Sequence, residues 1–396
     1  MKIQQSFVLI LASIAISVAA WSQDSENPPT LKLDRIPSLP AFAGQTRAPA
    51  ATKSNFEVET LADGLSAPWA LAFLPDGEIL ITENTGGLRI LDAAGNLSAP
   101  LTGLPEISRE GWSGMFDVAL DPDFSHNNAL YFTFTAPSGN TDSPTIPRVA
   151  RAVLNRKALR IEEVEILLDG IAWQELHFTP DGQLLVSGTG ADGEGQDMAS
   201  YTGKVLRINS DGTIPRDNPW SGNEEVPSEI LSYGHRDISG FATHPETGDI
   251  WVSEHGPRGG DELNVIQPGA NYGWPVISYG TAYSGEPMGD GETAGESMEQ
   301  PKYFWRPSIA PSGLMFYTGD MFPEWQGNIF VTALSGQHIS RLVLDGDRVV
   351  AEERLLLDRE QRIRELRQGP DGALYALTNE ESDAPKGFSQ LLRISK

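Results

Sequence analysis

Six times along the chain a polar turn ends and a strand-length apolar run begins. Pro75-Asp76-Gly77 leads into EILIT, Pro122 through Asn128 into ALYFTF, and Pro180-Asp181-Gly182 into QLLVS. Pro245–Gly248 leads into DIWVS, Pro323–Gly327 into NIFVT, and Pro370-Asp371-Gly372 into ALYAL. Proline followed by Asp-Gly suits a tight turn, and the β-branched and aromatic residues behind it suit a strand. The turn prolines are 47, 58, 65, 78 and 47 residues apart. Those are blade-sized intervals with loop insertions, unlike the constant rise of a solenoid. Six copies predict an all-β, six-bladed β-propeller over residues 55–396. A closed ring needs a latch, because an open sheet edge invites association. The short alternating strand Asn55–Thr60 is expected to complete the last blade beside C-terminal strands such as Gln390–Ile394. Residues 351–361 are rich in helix formers, but Arg354-Leu355-Leu356-Leu357 fits a strand equally well. The acidic, Gly-rich insertion Gly280–Arg306 reads as a loop over one face.

Composition narrows the partners. The 396 residues carry 39% hydrophobic side chains, 40 Gly and 28 Pro, which suits a turn-rich β protein. A formal charge of −25 argues against nucleic acid and anionic membranes as partners. Residues 1–20 read as a signal peptide, with Lys2 as the n-region, apolar Phe7–Ala20, and Val18-Ala19-Ala20 ahead of a cut near Trp21. Residues 21–54, rich in Pro, Ala, Ser and Thr, read as a flexible or loosely docked leader. With no cysteine there is no disulfide and no lipoprotein acylation site. The expectation is a periplasmic or secreted protein with no membrane insertion once the signal is cleaved.

Chemistry concentrates in Ser232–Gly280. After the strand Asp249–Ser253 comes Glu254-His255-Gly256-Pro257-Arg258-Gly259-Gly260-Asp261-Glu262, which is neither helix nor strand. Its glycines and proline leave carbonyls unpaired beside carboxylates, the oxygen set that calcium selects. A solvated Gly/Pro-rich loop accounts for the same composition. The runs SYGHR, SEHGPRGGDELN and GANYGWP settle between these, since they resemble the signature of the soluble glucose/sorbosone dehydrogenase family, aldose sugar dehydrogenase branch. The resemblance runs from about Ser66 to the C-terminus. It implies a six-bladed propeller carrying pyrroloquinoline quinone (PQQ) and Ca2+, with a sugar substrate and a separate electron acceptor.

The resemblance also implies site residues. Arg362 and Arg364 match the family's Arg-x-Arg that holds the cofactor's carboxylates, as two guanidiniums on one strand face can. Arg236 matches another cofactor-side arginine, and Gly256 and Pro257 match the positions whose carbonyls ligate calcium. The base half departs from the pattern. Active relatives carry a histidine ahead of the third turn, where it takes the sugar's hydroxyl proton. Here that stretch, Asp169–Leu176, has none, and Ile171 stands at the position. Trp112 replaces a substrate-side glutamine, Asp237 an asparagine, and Ser335 a cofactor lysine of the glucose dehydrogenase branch. The catalytic candidates are therefore Arg236 with Asp237 and His177, and Glu175 is a further candidate base beside the vacated position.

Other signals carry less. Gly188-Thr189-Gly190-Ala191-Asp192-Gly193 fits GxGxxG, but polar Glu194–Ser200 follows where a dinucleotide site needs a helix. Asp192, Glu194 and Asp197 read as a solvated acidic loop. Ser113 lies in no nucleophile elbow, and His126 and His338 read as structural. Three functions remain: a PQQ-dependent aldose dehydrogenase, a non-catalytic propeller of the same ancestry that binds a ligand or partner, and, last, a calcium-dependent propeller hydrolase.

Overall fold

Every one of the six turn-strand copies becomes the second strand of a blade. These strands are Ile79–Glu83, Ala129–Pro137, Gln183–Ser187, Ile250–Glu254, Ile329–Ala333 and Leu374–Thr378. Each is flanked by antiparallel neighbours and covered on both faces by adjacent blades, so it reads as a continuous apolar run. The inner strands are Pro68–Phe73, Met115–Leu120, Leu176–Phe178, Ile238–Thr243, Pro311–Phe316 and Ile363–Gln368. Each touches the next, and the last touches the first, which closes six sheets into a ring. The protein is a six-bladed β-propeller. It is described here by a computed structural model over residues 40–109, 113–140, 144–170, 175–190, 193–379 and 389–396. Residues 1–39, which include the segment read as a signal peptide and most of the leader, and the positions Trp112, Ile171 and Asp192 lie outside that description.

The core sits between blade faces. Leu80 and Leu88 of the first blade, for example, join Leu130, Phe132 and Phe134 of the second in one buried cluster. The last blade is built from both ends of the chain. Glu57–Leu65 pairs antiparallel with Ser389–Ser395, from Glu57 opposite Ser395 to Leu65 opposite Ser389. Residues 40–54 lie in contact with the fourth and fifth blades. Gln45 is fully buried, its Nε2 donating to the Pro301 carbonyl at 2.8 Å and its Oε1 accepting from Ala41 N at 2.7 Å. Trp325 Nε1 donates to Ser54 Oγ, which in turn reaches Glu353 at 2.7 Å.

Local details refine the sequence reading. The Pro122–Asn128 copy holds a single helical turn, Phe124–Asn127, closed by Asn128 at φ 51°. Within 351–361 the strand reading holds only as far as Leu355, where Arg348–Leu355, the outer strand of the fifth blade, ends; Leu357–Arg359 is a single 3-10 turn. The insertion Gly280–Arg306 is a loop only in part, for Tyr303–Trp305 forms the outer strand of the fourth blade. No helix among the described residues is long and apolar enough to cross a membrane.

Candidate active site

Five of the six inner strands slip register against their second strand: between Pro68 and Leu71, Met115 and Val118, Ile238 and Gly240, Pro311 and Leu314, and Ile363 and Glu365. A bulge leaves a residue unpaired and re-aims its side chain. Arg364 is such a residue. Its guanidinium lies 3.8 Å from the centroid of the Trp69 ring, a residue of the first-blade bulge. Its Nε is buried without a hydrogen-bond partner among the described residues. Burial lowers its pKa to about 10, against the attraction of Glu175 and together with the nearby charge of Arg362. The structure therefore brings Arg362 and Arg364 close, and it places Asp237 near enough to act on Arg364 as well.

Arg236 and Asp237 lie on the crossover between the third blade's outer strand, Ile230–Tyr233, and the fourth blade's inner strand. Arg236 is buried, stacks 5.3 Å from the Trp274 ring, and donates through one terminal nitrogen to the His255 and Gly256 carbonyls at 3.1 Å each. Its Nε, too, is buried without a partner. The Arg236 amide donates to Glu254 Oε2 at 2.9 Å, and the Glu254 carboxylate also meets His235 and Asn264. Burial works against the charge on Glu254, yet His235 and these donors hold its pKa below the usual carboxylate range.

The run Glu254–Glu262 is strand at both ends, since Ile250–Glu254 pairs with Asp261–Val265 and Glu254 stands opposite Glu262. Only the loop between them is irregular, and that loop is pinned from inside. Buried Asp261 accepts from the amides of Gly256 at 2.9 Å, Ile309 at 2.7 Å and Ala310 at 2.9 Å, and from Ser308 Oγ at 2.8 Å. Asp261 and Glu254 are thus anchors that shape the loop. Burial raises Glu262 well above the usual range, with Glu254 adding to it. The Gly256 carbonyl already accepts from Arg236, while no described donor reaches the carbonyl of Pro257.

Deeper in the ring, ligand-type oxygens of Asp117, Glu175 and Glu365 lie within 4.8 Å of one another. Arg367 donates to Glu365 at 2.8 Å. Burial lifts the pKa of all three: Asp117 is raised, Glu175 stands well above its ordinary value with Asp117 and Glu365 adding to it, and Glu365 reaches about 7. His177 is separate from this cluster in its bonding. Its Nε2 lies 2.7 Å from Thr243 Oγ1, its ring stacks on Phe241, and burial, helped by Arg367, lowers its pKa to about 4.

Sequence reasoning missed Trp69, Trp274, Asp117 and Glu365, and named Glu175 only as a candidate base. Trp274 stood inside GANYGWP, so its signal was present, whereas Asp117 and Glu365 sit in the strands Met115–Leu120 and Ile363–Gln368, whose pattern marks no site. The remaining minor signals fall outside the site. Ser335 is exposed in the turn between two strands of the fifth blade, His126 meets Asp123 at the surface, and His338 is buried against Gly336 and Ser340.

Comparison with known proteins agrees with this geometry. The family model for glucose/sorbosone dehydrogenase matches residues 65–392. The aldose sugar dehydrogenase YliI of Escherichia coli is 38% identical over 358 residues, spanning 87% of this chain and 94% of that protein. A crystal structure described as glucose dehydrogenase superposes with TM-score 0.81 at 39% identity, covering 86% of this chain and 99% of that one. The PQQ-bound aldose sugar dehydrogenase of Streptomyces coelicolor gives TM-score 0.71 at 26% identity, covering 87% and 99%.

Proposed function

The chain belongs to the glucose/sorbosone dehydrogenase family, and from that premise we propose that it is an exported PQQ-dependent dehydrogenase oxidising the anomeric carbon of aldose sugars. The observation that carries the reading is the pair of buried Nε atoms on Arg236 and Arg364 that have no partner among the described residues. Buried guanidiniums with donors to spare call for an anionic, planar partner, which a tricarboxylic quinone provides. The residues fit that group: Arg236, Arg362 and Arg364 would hold its carboxylates, with Trp69 and Trp274 backing the arginines. The carbonyls of Gly256 and Pro257 are the oxygen ligands offered to calcium. When bound, the quinone supplies the two-electron acceptor that this oxidation requires.

The chain's own residues have the rest of the work. Oxidising an aldose at C1 removes the C1 hydrogen with its electron pair, a hydride equivalent taken by the acceptor, and the hydroxyl proton, taken by a base. Asp237 is the candidate for that base, because it stands on the crossover beside Arg236 and acts on Arg364. His177 is held by Thr243, and its imidazole has little affinity for a proton near neutrality. The stretch Asp169–Leu176 holds no histidine for this role, so slow turnover is the expectation. A propeller that binds the quinone without turning over sugar is the competing reading, and it is favoured by the same missing histidine. The test is to reconstitute the purified protein with PQQ and Ca2+, titrate binding, and follow dye reduction on a panel of aldoses. Arg364→Ala is expected to weaken quinone binding by roughly 1.5–3 kcal/mol, as for a lost charge-assisted bond. Unchanged titrations would overturn the assignment. Tight binding without dye reduction on any aldose would select the competing reading.

A further inference from the structure

The glycine-rich segment rejected above as a dinucleotide loop has a different job. It wraps the crossover that carries Arg236. Gly190 N donates to the Arg236 carbonyl, which Thr189 Oγ1 also reaches at 3.3 Å. Gly234 N donates to the Gly195 carbonyl at 3.0 Å, and His235 N to the Gly203 carbonyl at 3.1 Å. The Gly190 carbonyl accepts from Trp274 Nε1 at 2.6 Å, so the segment grips the ring on which Arg236 stacks. The approach is too close for side chains. A Cβ on Gly190 would lie 2.4 Å from the His235 carbonyl oxygen, and one on Gly203 would lie 2.5 Å from the same atom.

Lys204 closes this socket from behind. It is fully buried, and its Nζ donates to the Gly195 carbonyl at 3.0 Å and to the Thr202 carbonyl at 2.6 Å. One ammonium thus ties both ends of the 195–202 loop, and the Gly195 oxygen it holds is the acceptor for Gly234 N. We propose that Lys204 is a positioning residue for the cofactor-side arginine: its buried ammonium clips the glycine socket that fixes residues 234–236 and aims Arg236 at the His255–Gly256 carbonyls. The part of this that concerns the quinone rests on the function proposed above; the clip and socket do not.

A charged clip makes the socket sensitive to pH. Burial lowers the pKa of Lys204 to about 8, with Asp197 and Glu194 on the same loop opposing the fall. Tyr233 faces it across the ladder, and His235 and Arg236 are the titratable groups of the crossover. A proton lost near pH 8 removes a donor and the charge that strengthens both bonds.

Hydrogen exchange of the full chain without added quinone tests the clip directly. At pH 6.5, Lys204→Met is expected to lower the protection factors of the amides of Gly190, Gly203, Gly234 and His235 about tenfold or more, with the fifth blade unchanged. Wild type moved from pH 6.5 to 9 should lose protection at the same amides, whereas the variant should show no further loss. That pH series needs no variant, so it decides the matter even if Lys204→Met does not fold. Protection that is indifferent to both changes overturns the proposal. PQQ titration of the same samples is expected to give a dissociation constant about tenfold higher for the variant at pH 6.5. Equal affinities would overturn the positioning role toward Arg236. Failure of wild type to bind PQQ would overturn the proposed function, and the exchange data would still judge the clip.

Discussion

Glu175 occupies the place where a further negative charge costs most. Asp117 and Glu365 already share that part of the ring, and Arg367 binds Glu365. Because burial raises the pKa of each carboxyl above its ordinary value, the folded protein holds protons that the unfolded chain has released. The stability they confer is therefore complete below the unfolded value near 4.5 and is lost as pH climbs through about 7, the value reached by Glu365. Glu175→Gln removes one of the three charges. It is expected to stabilise the protein at pH 8 by on the order of 1–3 kcal/mol, the scale of a buried unsatisfied group, and to gain little at pH 5. Thermal melts of both proteins across that range would show it. The absent histidine gives a second prediction at this scale. Ile171→His restores the base at the family's position, and a base contributes typically ~10²–10⁴-fold. A clear rise in PQQ-dependent sugar oxidation is the expected result, and no rise would mean that the base resides elsewhere. Arg236, Arg362, Arg364, Gly256 and Pro257 were named from motif resemblance, and in the structure Arg362 lies close enough to Arg364 to act on its charge, while Arg236 is bonded to the Gly256 carbonyl. Asp117 and Glu365 were illegible, because a carboxylate in a strand looks the same whether it meets water or two other acids.

At the scale of elements, the second strand of each blade was plain in the sequence because neighbouring sheets cover both of its faces, leaving no polar alternation to interpret. The inner strands were far harder to read. Leu176–Phe178 is only three residues long, and the others carry bulges that break the two-residue period on which strand reading depends. Residues 40–54 teach a related lesson. Their composition resembles a loose leader, yet their hold on the fourth and fifth blades runs through backbone groups and the polar side chains of Gln45 and Ser54, which no hydrophobic pattern would reveal. Gln45→Ala leaves the Pro301 carbonyl and the Ala41 amide without their partners. The expected loss is about 1–3 kcal/mol, measured by denaturant unfolding. An unchanged midpoint and slope would show that the strap contributes nothing to the propeller.

For the molecule as a whole, the formal charge of −25 sets the terms on which an electron acceptor arrives. A field of that sign draws in cations and repels anions, and salt screens it over about 8 Å at physiological ionic strength. A cationic dye is therefore expected to reoxidise the loaded enzyme faster than an anionic dye of similar potential at low salt. The advantage should shrink as salt is raised, and equal rates at all ionic strengths would remove charge from the account of acceptor choice. The ring itself imposes an order on events in time. The strand that begins the propeller, at Glu57, has its partner at Ser395. During synthesis the earliest strand must therefore wait, unpaired on that side, while five blades and the inner half of the sixth are made. Contacts that span the whole chain close late and slowly, and a waiting edge is open to the wrong neighbour. The apolar blades can collapse early, but the circle closes only once residues 389–395 have been made. A nascent chain halted before Ser389 is thus left with the whole of Glu57–Leu65 as an open edge.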